Sequence, residues 1–156
     1  VTGLYNRMGY QKLSISYFTI MREKKMPVLV MFIDLDRLKY INDTFGHEYG
    51  DFAIVSIAKA MLKHCDADAI AARTGGDEFI VLEGAKDEES GRVLAQKIRT
   101  ELSKTQRAMQ LPFDLSASIG AVVAHPGEEN VLESYVKQAE MLMYEEKAEK
   151  KVSRDS

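Results

Sequence analysis

The sequence predicts an α+β domain in which helices pack on a sheet, and three observations lead there. Nine patterned segments follow one another as α-β-α-α-β-β-α-β-α, a hairpin mixed with helical crossovers. One of them, Val28 to Ile33, is an unbroken apolar, β-prone run. Continuity rather than alternation marks a strand covered on both faces, hence a central one. The chain of 156 residues, 46% hydrophobic and 29% charged, can bury about two thirds of its surface as one domain without a disulfide or metal staple.

Asn6 is placed to cap a first helix whose apolar stripe runs through Tyr10, Leu13, Tyr17, Phe18 and Met21. Pro27 is expected to stop it, and the central strand then ends in Asp34-Leu35-Asp36. Leu38, Ile41 and Phe45 have helical spacing, with Gly46 as the stop. Ile54, Ala58, Met61, Leu62 and Cys65 mark a longer amphipathic helix. Ala69 to Thr74 and Glu78 to Leu82 read as short strands around Gly75-Gly76, a tight-hairpin signal. Val93, Leu94, Ile98 and Leu102 form another helical stripe, and Phe113 to Ala124 is strand-like with Gly120 inside it. Leu132, Tyr135, Val136, Ala139, Leu142 and Met143 form a last stripe, which trails into Lys147, Lys150 and Lys151. The three prolines, Pro27, Pro112 and Pro126, fall between segments.

Composition narrows the function. With 21 Lys plus Arg against 24 Asp plus Glu, the net charge of −3 argues against a nucleic-acid coat protein. The longest apolar run, Met26 to Ile33, is far short of the ~20 residues of a membrane span. Cys65 is the only cysteine, so no internal disulfide forms and a reducing, cytoplasmic setting is expected. No basic-then-apolar leader opens the chain. It starts at Val1, which suggests one domain (1–156) of a longer protein, whose upstream region could anchor it to a membrane.

Four groups of residues carry chemistry. Asp34 and Asp36 follow directly on a buried strand, where carboxylates are costly unless paired or bound to a hard cation such as Mg²⁺; the plain alternative is that they cap the next helix. In Gly75-Gly76-Asp77-Glu78-Phe79 two acids follow a hairpin turn. Strand alternation would send Asp77 and Glu78 to opposite faces. If this strand runs antiparallel beside the central one, Asp34 and Asp77 meet at one end of the sheet and can hold a divalent metal over a phosphate chain. Lys39 and Asn42 lie three apart on one helix face, close in sequence to His47, Gly50 and Asp51. An amide with a carboxylate can read a base edge, although Asp51 could equally cap the following helix and His47 could be a loop histidine. Lys147, Lys150 and Lys151 are a solvated helix end or a clamp on phosphate oxygens.

Taken together, Thr2-Gly3-Leu4-Tyr5-Asn6-Arg7, Phe32-Ile33-Asp34-Leu35-Asp36, Lys39 to His47 with Gly50-Asp51, Arg73 to Phe79, Ser116 to Gly120, and Ala139-Glu140 through Tyr144 to Lys147 resemble the GGDEF family of diguanylate cyclases, in order and over nearly the whole chain. The resemblance implies a palm-like, nucleotidyl cyclase or ferredoxin-like fold, with a mostly antiparallel central sheet surrounded by helices. It implies condensation of two GTP into cyclic di-GMP by a homodimer, under an upstream sensor or regulatory domain. It implies Mg²⁺ or Mn²⁺ on Asp34, Asp77 and the Leu35 carbonyl, with Glu78 or Asp77 assisting deprotonation of the 3′-hydroxyl. Lys39 would stabilise transition-state charge, Asn42 and Asp51 would hold guanine with His47 nearby, Gly75 and Gly76 would line the substrate, and Lys147 and Lys151 would reach the terminal phosphates. No nucleic acid or membrane contact is implied for the domain.

Two departures from the family pattern stand out. Many members follow the last lysine with Gly-Arg-Asn; here the stretch is Lys147-Ala148-Glu149-Lys150-Lys151, so Lys replaces Arg at the distal phosphate position and lacks its bidentate fork. The inhibitory Arg-x-x-Asp element is replaced by Asp66-Ala67-Asp68-Ala69. A nucleotide-binding module without catalysis, which regulates a neighbouring domain, is the competing expectation; the intact Asp34, Asp77 and Glu78 favour the enzyme.

Overall fold

The structure, a computed structural model, describes residues 3–125, 127 and 131–155. Thr2 of the opening motif and Pro126 lie outside them. The elements are α1 (Arg7–Glu23), β1 (Val28–Leu35), α2 (Leu38–Phe45), α3 (His47–His64), β2 (Ile70–Arg73), β3 (Glu78–Gly84), α4 (Ser90–Ala108), β4 (Ala117–Ala124) and α5 (Leu132–Asp155). The sheet order is β2-β3-β1-β4, and every neighbouring pair is antiparallel.

β1 is buried along all eight residues. Its side chains alternate between two cores. Leu29, Met31, Ile33 and Leu35 join Phe79 and Val81 under α2, α3 and α4, where Ile41, Ile57, Met61, Ile98 and Leu102 close the layer. Val28, Val30 and Phe32 face the other way, with Leu82, onto Phe18 and Met21 of α1 and Tyr135, Ala139 and Met143 of α5. Asp34 continues this second face, so it emerges beneath α5. Among the described residues no helix is long and apolar enough to cross a membrane.

Four boundaries differ from expectation. α1 stops at Glu23, ahead of Pro27, because Lys25 turns left-handed (φ 55°) and Met26 N–H bonds back to the Met21 carbonyl. α3 starts at His47 rather than just after Asp51, with Gly46 at its N-cap. Asp51 therefore lies a turn inside the helix, exposed, and is no cap. Residues 113–116 are not strand, and Phe113 instead packs on Phe45 and Tyr49 at ring distances of 5.5 and 5.8 Å. Finally, Lys147 and Lys150 do not trail off a finished helix but lie within α5.

Candidate active site

The end of β1 and the β2–β3 turn meet as the antiparallel reading expects. Asp34 sits opposite Glu78 in the register, and Leu35 N–H donates to the Asp77 carbonyl at 2.9 Å. The turn is held from within. Thr74 and Gly75 N–H groups donate to the Glu78 carbonyl, and the Arg73 guanidinium donates to the carbonyls of Gly75 (3.2 Å) and Gly76 (2.7 Å). That clamp by Arg73 carries no signal in one dimension beyond the residue's place beside the glycines.

Asp77 precedes β3 rather than lying in it, so strand alternation does not separate it from Glu78. Asp34, Asp77 and Glu78 each present an oxygen, and these lie within 4.8 Å of one another. Asp34 is only 5% exposed. Burial pushes its carboxyl up to about 6; the Lys147 ammonium pulls it down, and Asp77 and Glu78 push it up again. Burial, then Asp77 and Glu140, also raise Glu78. Three hard oxygen donors, under-neutralised and converging, fit a divalent cation of the Mg²⁺ or Mn²⁺ type. The raised carboxyl gives the sign of a pH effect: below about 6 a proton on Asp34 competes with the cation. Divalent affinity measured by calorimetry should fall about tenfold per pH unit below that point. An affinity constant from pH 5 to 8 would contradict the cluster's role.

Lys147 reaches down from α5 to pair with Asp34 and stands 3.8 Å from Asp36. Asp36, the other acid of the Asp-x-Asp pair, is buried and fully engaged. It accepts from Ser118 and Ser116, both at 2.7 Å, and from Lys150 at 2.7 Å. Burial alone would raise its carboxyl, but these donors outweigh it and hold the group below the ordinary carboxylate value. Lys150 also donates to the Ala117 carbonyl at 2.8 Å. The alternation in Ser116-Ala117-Ser118 is the signal in the sequence that could have placed both hydroxyls on one side.

The remaining candidates lie on α2 and α3. Lys39 and His47 are exposed, as is Lys151 on α5. Asn42 is half-buried against α3 at Gly50, where a Cβ would come within 2.8 Å of the amide carbon. Gly50 thus lets the two helices close with the Asn42 amide held beside the Gly50-Asp51 turn of helix, and His47 lies one turn away from Asp51. A groove of about 730 Å³ between α1 and α5, bordered by Arg7, Thr74, Glu78 and Glu140, opens next to the carboxylates. Tyr144 is half exposed, and its phenol is raised by burial and by Glu140, Glu78, Asp34 and Asp77.

A family model described as diguanylate cyclase, GGDEF domain, matches residues 1–153. The chain is 36% identical over 151 residues to the probable diguanylate cyclase DgcT of Escherichia coli, covering 94% of this chain and 32% of that protein. It is 32% identical over 151 residues to the diguanylate cyclase VdcA of Vibrio cholerae, covering 94% of this chain and 43% of that one. The chain thus spans less than half the length of either relative. Among solved structures, the GGDEF domain of PA1120 (TpbB or YfiN) from Pseudomonas aeruginosa superposes with a TM-score of 0.79 at 29% identity, covering 95% of this chain and 87% of that one.

Proposed function

This chain belongs to the GGDEF family of diguanylate cyclase domains, and from that premise we propose that it joins two GTP molecules into cyclic di-GMP. In each half-reaction a 3′-hydroxyl oxygen attacks the α-phosphorus of the other GTP. A phosphodiester bond forms, the bond to the β-phosphate bridging oxygen breaks, and pyrophosphate leaves. The observation that carries this reading is the convergence of Asp34, Asp77 and Glu78 under Lys147 at the end of the central strands.

Asp34, Asp77 and Glu78, with the Leu35 carbonyl, would hold the divalent cation; when bound, Mg²⁺ or Mn²⁺ supplies neutralisation of the triphosphate and of the leaving pyrophosphate. The chain's own residues do the rest. Glu78 or Asp77 accepts the hydroxyl proton, and the raised carboxyl of Glu78 moves it toward a useful base strength. Lys39 offers charge to the phosphates, and Lys147 and Lys151 hold the terminal ones. Asn42 and Asp51 hold guanine, the acceptor-only carboxylate matched to the N1–H and 2-amino donors, with His47 on the nucleotide. Gly75 and Gly76 let the backbone come close to the substrate. Two domains facing each other about a two-fold axis would complete both bonds, since each GTP offers one nucleophile and one electrophile. Regulation by another domain of the parent protein belongs to the same proposal.

Incubation with GTP and Mg²⁺, followed by separation of nucleotides, tests it: cyclic di-GMP and two equivalents of pyrophosphate are expected. GTP that binds but stays intact would favour the silent nucleotide-binding module instead. The base-reading part has its own check. Gly50→Ala places a methyl group against the Asn42 amide while gaining helix propensity inside α3, about 1 kcal/mol. KM for GTP should rise about tenfold with melting temperature unchanged or higher; an unchanged KM would remove Asn42 from the guanine site.

A further inference from the structure

Lys150 ties α5 to the end of the sheet. Its ammonium bonds Asp36 at 2.7 Å and the Ala117 carbonyl at 2.8 Å, and lies 3.3 Å from Glu146, whose two carboxylate oxygens accept from Arg99 of α4 at 2.7 and 2.9 Å. Two lysines one turn apart on α5 thus face two aspartates, Asp34 and Asp36. The pairing is not symmetric. Lys147 takes Asp34 but already stands 3.8 Å from Asp36. Asp36 is buried and cannot shed a negative charge into water. Without Lys150 the next cation within reach of Asp36 is Lys147.

We infer that Lys150 is a positioning residue: by neutralising Asp36 it keeps Lys147 from being captured there, and so leaves the Lys147 ammonium free to meet phosphate oxygens once a divalent cation takes Asp34. This rests on the proposed triphosphate site. It follows that Asp36 acts as a trap held shut by Lys150, and that the trap matters only to ligands that need Lys147.

The test uses the whole domain and binding of magnesium pyrophosphate by calorimetry, which needs no turnover, beside KM and kcat for GTP. Lys150→Ala should weaken pyrophosphate about tenfold and raise KM for GTP by a similar factor, with kcat changed less than about twofold. Lys150→Arg should stay close to wild type. The double variant Lys150→Ala with Asp36→Asn removes the trap along with its lock and should return pyrophosphate affinity to within about twofold of wild type. A merely structural role would show instead as a lower melting temperature in Lys150→Ala, with pyrophosphate affinity of the folded variant unchanged. The double variant also settles the matter if Lys150→Ala alone fails to fold. Unchanged pyrophosphate binding in a folded Lys150→Ala, or no recovery in the double variant, overturns the inference. If GTP is not turned over by the wild-type domain while the pyrophosphate series behaves as described, the cyclase reading fails and this inference stands.

Discussion

Asp34→Asn is expected to lower cyclic di-GMP synthesis by at least about a thousandfold while leaving the domain folded. Of the three acids, Asp34 is the buried one, and an amide supplies no charge to a divalent cation. The same substitution should make the metal-free domain more stable. A carboxyl whose folded value is raised from 3.8 to about 6 stabilises nothing in its charged form. Folding favours the protonated group, so stability is lost as pH climbs from about 4 through 6. At pH 7.5 the removed cost is about 1–3 kcal/mol, with allowance for the partner that Lys147 loses. Thermal melting in chelator should therefore show the Asp34→Asn variant equal to or above wild type, and saturating Mg²⁺ should raise only the wild type. Wild-type turnover, or a melting temperature well below wild type in chelator, would contradict this account of the carboxylate.

Gly120→Ala is the second large effect, and it acts through packing. Gly120 lies in β4 opposite Phe32, where α5 crosses the sheet. A Cβ there would collide with the Ala139 carbonyl and stand 2.5 Å from the Met143 nitrogen and 2.8 Å from the Leu142 Cβ. Two of these neighbours are helix backbone, so no rotamer change relieves the clash, and α5 must lift. Overpacking of this kind costs about 3 kcal/mol. A domain of this size should then melt about 6–12 °C lower. Because α5 also carries Lys147 and Lys150, whatever remains folded should bind GTP more weakly. A melting temperature within about 2 °C of wild type would show that the helix can shift freely.

Much of the site is legible in the sequence because its logic is local or follows from strand pairing. The acid after a buried strand and the acids after a Gly-Gly turn come together as soon as β1 and β3 are antiparallel neighbours, and periodicity gives all nine elements in order. What escapes the sequence depends on exact termini and on long side chains. Whether Asp77 belongs to the strand or the turn is a difference of one residue, yet it decides whether Asp77 and Glu78 diverge or converge. Phe113 has strand propensity, but an aromatic cluster with Phe45 and Tyr49 holds it in an irregular segment. Capping by Asp51 is a reasonable local expectation, and it fails because Gly46 starts α3 a turn earlier. The role of Asp36 needs Ser116, Ser118 and Lys150, which come from distant parts of the chain.

The sheet order also bears on how the protein is made. Only β2 and β3 are neighbours in both sequence and space; β1 pairs with β3 and β4, each reached across intervening helices. A growing chain emerging from the ribosome thus presents β1, apolar from Val28 to Ile33, long before either partner strand exists. Loop-closure entropy must be met before those distant pairings return anything, so folding is limited by search rather than by local propensity. Lys147 and Lys150 arrive after all four strands. The nascent domain therefore passes through a stage in which its most aggregation-prone segment is uncovered and its acidic cluster lacks its cation.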